Sequence, residues 1–180
     1  MSTLAIRISD LAHGPEVWLL DARGAGLDEP GLRNSARAVT DAAAARHTAR
    51  CYRYPYALVS WHTGRVGIDI ERIEPCDPAF AASISTPAET VEWASLTDPY
   101  AYFSSIWSSK EALAKALGNP LSYDPRRLEA PMRWPAGQAG PWRAAQLPVR
   151  GDHVAWICWR SADQPADSPA MRGRACCCPV

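Results

Sequence analysis

The sequence lacks an excess of charge of either sign. Its 19 Lys plus Arg balance 19 Asp plus Glu, a formal net charge of zero. That excludes a protein that grips nucleic acid by bulk positive charge, though not a local basic patch. No run approaches the ~18 apolar residues of a membrane-spanning helix. The opening MSTLAIRISDLAHG has no charged start followed by an apolar stretch, so it does not read as a secretory signal. There is no Gly-rich phosphate-cradling loop and no internal repeat. The cysteines form no CxxC pair: Cys51, Cys76 and Cys158 are scattered, while Cys176, Cys177 and Cys178 are consecutive. Three adjacent thiols cannot all bridge one another comfortably. They read as reduced thiols of a cytoplasmic protein, with a metal-binding or redox tail as the sharper alternative.

What is present suits an ordinary globular chain. At 180 residues and 47% hydrophobic it can bury a core without help. Sixteen prolines predict short, interrupted elements. Eight tryptophans predict wedges in the core or pocket walls.

Alternation predicts strands over 4–9 and 16–21, and a Gly/Pro-rich loop follows over 24–31. Residues 35–51, rich in Ala with scattered Arg, read as a helix stopped before Tyr54-Pro55. Strands are predicted over 57–61 and 66–73, with a turn at His62-Thr63-Gly64 between them. A helical turn fits 80–84. Thr86, Pro87 and Glu89 form a helix start with a capping box, running to about Leu96. A long helix follows from about Tyr100 to Leu117, stopped by Gly118 and Pro120. Short strands are predicted over 128–134 and 142–148, and a buried one over 154–160. The Pro/Ala/Ser/Arg-rich remainder from Ser161 reads as a disordered tail. The fold class is α+β with a mostly antiparallel sheet.

Three constellations could carry chemistry. In Gly67-Ile68-Asp69-Ile70-Glu71 strand alternation sends the two isoleucines to the core and the two carboxylates together to the other face. Such a pair suits a hard divalent cation, or is an amphipathic edge strand with solvated acids. On the long helix Ile106, Leu113 and Leu117 share one stripe, and Glu111 and Lys115 lie one turn apart elsewhere. They can hold a metal ion and a phosphate oxygen, or form a routine surface pair. His62, in a turn beside Gly64, can donate to a phosphate or simply face solvent.

Taken together these motifs are more specific. The chain resembles the 4'-phosphopantetheinyl transferases of the surfactin-synthetase-activating type. Their G-[IV]-D-[IV]-E strand matches Gly67 to Glu71, and their [FW]-[ST]-x-K-E-[AS]-x-x-K helix matches Trp107 to Lys115. Trp61-His62-Thr63-Gly64 is similar to the Ser-His-Ser-Gly loop, and Ser85 to Glu89 to a S-x-x-E helix start, one residue longer. Gly118-Asn119-Pro120-Leu121 is similar to a Gly-x-Gly-Leu turn. The resemblance implies a pseudo-two-fold pair of small α/β lobes. The first is reduced (residues 1–64), the second carries the metal site (65–160), and a tail follows (161–180). It further implies Mg²⁺-dependent transfer of the phosphopantetheine arm of coenzyme A to a serine of an apo acyl, polyketide or peptidyl carrier protein. Adenosine 3',5'-bisphosphate is released. In this assignment Asp69, Glu71 and Glu111 hold Mg²⁺, and Lys115 and Lys110 act at the diphosphate. His62 binds a coenzyme A phosphate, and Arg53 contacts the nucleotide. Glu111, or Glu89 through water, accepts the serine proton. The expected partners are carrier protein and coenzyme A, with no nucleic acid or membrane, and the expected state is a monomer. Only Arg65 and Val66 separate Gly64 from Gly67, so a noncatalytic relative that binds carrier or coenzyme A is the alternative.

Overall fold

A computed structural model describes residues 5–9, 11–119 and 122–160. The predicted tail, with Cys176, Cys177 and Cys178, and the second half of the 118–121 turn lie outside the described residues.

Two antiparallel four-stranded sheets form the middle of the molecule. The first has the order β1-β2-β4-β3: β1 Ala5–Arg7, β2 Glu16–Asp21, β3 His47–Arg53 and β4 Tyr56–His62. The second runs β5-β8-β7-β6: β5 Val66–Arg72, β6 Gln138–Ala139, β7 Trp142–Leu147 and β8 His153–Arg160. Alternation decides the layers. Val17, Leu19, Leu58, Ile68, Ile70 and Ile157 fill the space between the sheets. Leu20, Ala57 and Val59 point the other way, onto Leu32 and Ala36 of helix α2 (Glu29–Ala42). On the far face of the second sheet, Val154, Trp156 and Cys158 meet Ala112, Leu113 and Ala116 of helix α5 (Tyr100–Leu117). The order of layers is therefore helix, sheet, sheet, helix, and the α+β antiparallel class expected from the sequence is what the chain forms. All eight tryptophans are at least half-covered, as their cost in water predicts.

The predicted helix over 35–51 is corrected at both ends. Between the one-turn α1 (Ala22–Ala25) and β3 lies α2, capped by Asp28 with Pro30 in its first turn. It therefore begins inside the expected loop. It stops at Ala42, and Ala44 takes a left-handed conformation with φ 48°. Residues 47–53 are a strand because their inward side chains, Ala49 and Cys51 among them, have the inter-sheet core to enter. High helix propensity yields to that burial. The expected strand over 128–134 is also absent; a 3-10 turn, Pro131–Arg133, replaces it, since Pro131 removes a ladder donor.

The remaining helices follow their capping signals. α3 is Pro78–Ile84, capped by Asp77. α4 is Pro87–Ala94, with the Thr86–Glu89 capping box formed, and α5 is closed by Gly118 at φ 90°. Among the described residues no helix is long and apolar enough to cross a membrane, and Cys51, Cys76 and Cys158 are free thiols.

Candidate active site

Among the described residues β5 is hydrogen-bonded only to β8, and its other edge is free. β3 packs beside that edge without joining the sheet, and α5 lies across the face. Gly67 permits the close approach of α5. A Cβ there would lie 2.2 Å from the Ala112 carbonyl oxygen and 2.3 Å from the Ala116 nitrogen. The helix answers with small residues: Ser105, Ser109, Ala112 and Ala116 are all buried. The Trp156 indole donates to Ser105 Oγ at 2.7 Å. The apolar stripe anticipated for α5 is thus only part of its buried surface, because the serine positions are covered as well.

This approach covers the acidic pair. Asp69 is 5% exposed, beneath α5, while Glu71 reaches the edge. Lys115 Nζ donates to Asp69 Oδ1 at 2.5 Å and lies 4.0 Å from Glu111 Oε2. The Asp69 and Glu111 carboxylates therefore flank one ammonium. The Trp107 indole N–H donates to Glu71 Oε1 at 3.0 Å, and Arg53 Nε stands 3.8 Å from Glu71 Oε2. Among the described residues Asp69 Oδ2 is buried with no hydrogen-bond partner, and the nearby Ser108 hydroxyl favours the charged form of Asp69.

The electrostatics follow from burial among like charges. Desolvation raises the pKa of Asp69, which Lys115 partly offsets. Glu71 is pushed up to about 7 by burial and then by Asp69, against the pull of Arg53 and Trp107. Burial raises Glu111 too. For Lys115 burial pulls downward, but Asp69 and the neighbouring acids outweigh it, and the ammonium is stabilised. Burial pushes up the Cys51 thiol on β3, which feels both Asp69 and Lys115. Three carboxylates sharing one field, each biased towards its neutral form, form a site that favours added positive charge.

Among the described residues no three His, Cys, Asp or Glu side chains are already grouped as a metal site. The donor chemistry nevertheless suits a hard cation: carboxylate oxygens only, one of them buried and unpartnered. Asp69, Glu71 and Glu111 are the residues that would hold it.

His62 stands elsewhere. It ends β4, opposite His47 on β3, roughly 13 Å along the strand from the level of Cys51. It is nearly buried, and its Nε2 has no partner among the described residues. Burial lowers its pKa, against a backbone hydrogen bond with Arg160. His47, its register partner, feels the charge of Arg65, whose guanidinium donates to the Leu117 carbonyl at 3.1 Å. Neither stood out in the sequence. The alternation of residues 47–53 was the signal for His47, obscured by the helix reading.

Lys110 and Glu89 are not among the acids around Lys115. Lys110 is 2% exposed and Glu89 fully buried, and they pair at 2.6 Å. Arg53 faces a cleft of about 410 Å³ with Glu71, Arg72, Phe80, Phe103 and Trp107.

No curated protein matches this sequence. The 4'-phosphopantetheinyl transferase superfamily profile matches residues 65–161, the span that holds β5, α5 and every acid of the site. The strand that presents Asp69 and Glu71 and the helix that returns Glu111 and Lys115 to them lie wholly within that match, and the chain belongs to the 4'-phosphopantetheinyl transferase superfamily.

Proposed function

We propose that this protein transfers the 4'-phosphopantetheine arm of coenzyme A to a serine of an apo carrier protein, as a monomer of the surfactin-synthetase-activating type. The observation that carries the reading is the Asp69–Lys115–Glu111 arrangement at the free edge of β5, with Glu71 beside it. Phosphoryl transfer requires neutralised charge and in-line positioning more than covalent help.

The serine oxygen attacks the phosphorus that bears the pantetheine arm. The bond from that phosphorus to the bridging oxygen breaks, and adenosine 3',5'-bisphosphate leaves with the electron pair. Lys115 neutralises charge gathering on the leaving side. Glu111, partly exposed and with its pKa raised by burial, takes the serine proton on a carboxylate oxygen. Trp107 and Arg53 orient Glu71. Mg²⁺, held by Asp69, Glu71 and Glu111, would supply further charge neutralisation at the diphosphate. His62, with its unpartnered Nε2, is the proposed contact for a coenzyme A phosphate, and Arg53 for the nucleotide. In this reading residues 1–64 form a reduced first lobe and 65–160 the transferase lobe, related by a pseudo-two-fold axis. Each contributes one four-stranded sheet.

The test is incubation with coenzyme A, Mg²⁺ and a panel of apo carriers of fatty acid, polyketide and peptide synthesis, read by mass spectrometry. A carrier that gains the mass of the arm is the expected result. No gain on any carrier at high enzyme concentration overturns the transferase reading and leaves a noncatalytic binding relative.

A further inference from the structure

Lys110 immediately precedes Glu111, yet its side chain runs the other way, into the protein. Its ammonium has three protons and three acceptors: the Ile84 carbonyl at 2.7 Å, Glu89 Oε2 at 2.6 Å and the Pro125 carbonyl at 2.8 Å. Glu89 is equally committed. Its Oε2 also accepts from the Thr86 N–H at 2.8 Å, and its Oε1 from the Ala130 N–H at 2.9 Å. Lys110 keeps no proton for a phosphate, and Glu89, with three of its roughly four lone-pair directions filled, is fully buried and offers none to a water in transit. The five bonds join the end of α3, the start of α4, and both ends of the segment from Pro125 to Ala130 onto the middle of α5.

That segment stands against the site. Tyr123, Pro125 and Leu128 face Trp107, Lys110, Glu111 and Ala114 across a slot of about 210 Å³, and Lys110 lines it with its ammonium already committed to its three acceptors. The slot is on the flank of Glu111 that Lys115 does not occupy. The wall has little regular structure of its own, only the 3-10 turn Pro125–Arg127. The Lys110–Glu89 bonds to Pro125 and Ala130 are thus its buried polar anchors.

We propose that Lys110 and Glu89 are positioning residues: a closed internal clasp that sets the 123–128 wall against Glu111, rather than groups that touch coenzyme A or the serine proton. This rests on the transferase reading for its kinetic readout, but not for its thermal one. It replaces the roles in phosphate contact and proton transfer that the family resemblance implies for these two residues.

The experiment is a double-mutant cycle: Glu89→Gln, Lys110→Met and the two combined, each measured for melting temperature and for rate of arm transfer between pH 5.5 and 8.5. Either single change leaves a buried charge or donor without its partner. Each is expected to lower the melting temperature by about 10 °C and the transfer rate with it. The combined variant carries no buried charge, and the amide introduced in place of the Glu89 carboxylate can serve the carbonyls that lysine leaves. It is expected to recover most of the melting temperature and to transfer at least tenfold faster than the slower single variant, with the wild-type pH profile. Two results overturn the clasp. One is Glu89→Gln melting like wild type while losing transfer or its pH dependence. The other is a combined variant that folds yet transfers no better than the singles. Should the single variants fail to fold, the combined variant decides alone: folded and active supports the clasp, folded and inactive overturns it. Should wild type itself transfer nothing, the functional reading fails separately, and the melting-temperature cycle still decides: recovery in the combined variant supports the clasp, none overturns it.

Discussion

Two lysines five residues apart on one helix each meet a carboxylate, and the two pairs differ in nearly every other respect. Lys110–Glu89 is sealed and saturated, each partner bound by further backbone groups. Lys115–Asp69 lies at the free edge of a sheet, with a second and a third acid nearby and one buried oxygen left unpartnered. A saturated pair has its desolvation offset by neighbouring groups and no capacity for a ligand. An unsaturated cluster of like charges, its pKa values raised, is where an added cation gains most. Sequence spacing alone treats the two lysines alike; the acceptors around each do not.

The sharpest way to break this comparison is Glu111→Gln, which removes a charge from the open cluster and leaves the sealed pair intact. Arm transfer is expected to fall by at least about 100-fold, the scale of losing one preorganised electrostatic group, while the melting temperature holds or rises. An active Glu111→Gln protein would move the chemistry away from this cluster. Next in size is Gly67→Ala. Its methyl would sit within 2.3 Å of α5 backbone atoms, so β5 and α5 must part. A loss of about 3 kcal/mol in denaturant unfolding is expected, and transfer falls with it because Asp69 and Glu111 belong to different elements. Trp107→Phe is milder. It keeps the edge-on contact with Phe80 but deletes the indole bond to Glu71, and should lower transfer about fivefold, for roughly 1 kcal/mol. A wild-type rate would show that Glu71 needs no such orientation.

The smallest effect separates the site from its surroundings. His153 is buried against Tyr56, and burial holds its pKa below the usual histidine value; Asp152 opposes this, while Arg72 and Arg53 add to it. A depressed histidine contributes stability that is full above its unfolded pKa, about 6.5, and is lost as pH falls through the folded value. Wild type is therefore expected to show a drop in melting temperature from the His153 contribution on acidification below about pH 6.5, set against the gain from Glu71, Asp69 and Glu111, whose raised pKa values favour the folded state as they protonate. His153→Asn should reduce that drop without changing the ratio of transfer rates across the same range. An unchanged acid limb of stability would assign it to His62 and His47, which burial depresses in the same direction.

Much of the fold was legible in the chain. Glu16–Asp21 and Tyr100–Leu117 have the predicted bounds, and the Thr86 capping box forms, because alternation, capping and proline are local signals. Asp69 and Glu71 do share the face opposite Ile68 and Ile70. Residues 47–53 misled because their alanines and arginines favour a helix in isolation. Only the presence of a second sheet makes Cys51 and Ala49 worth burying. The serines of α5 carried no signal of their own: as small residues they allow a backbone to come close, a property visible only once the helix lies against β5 and Trp156.

By itself the sequence determined which acids and bases exist, their pairing in two local motifs, and the strand and helix that carry them. Those follow from periodicities of two and 3.6 residues, which short stretches impose on themselves. Tertiary structure decided which lysine is closed and which is open, because solvation and hydrogen-bond capacity depend on groups distant in sequence. Ile84, Pro125 and Ala130 close the Lys110–Glu89 pair, and β3 at the edge of β5 leaves Lys115 among acids that remain unsaturated.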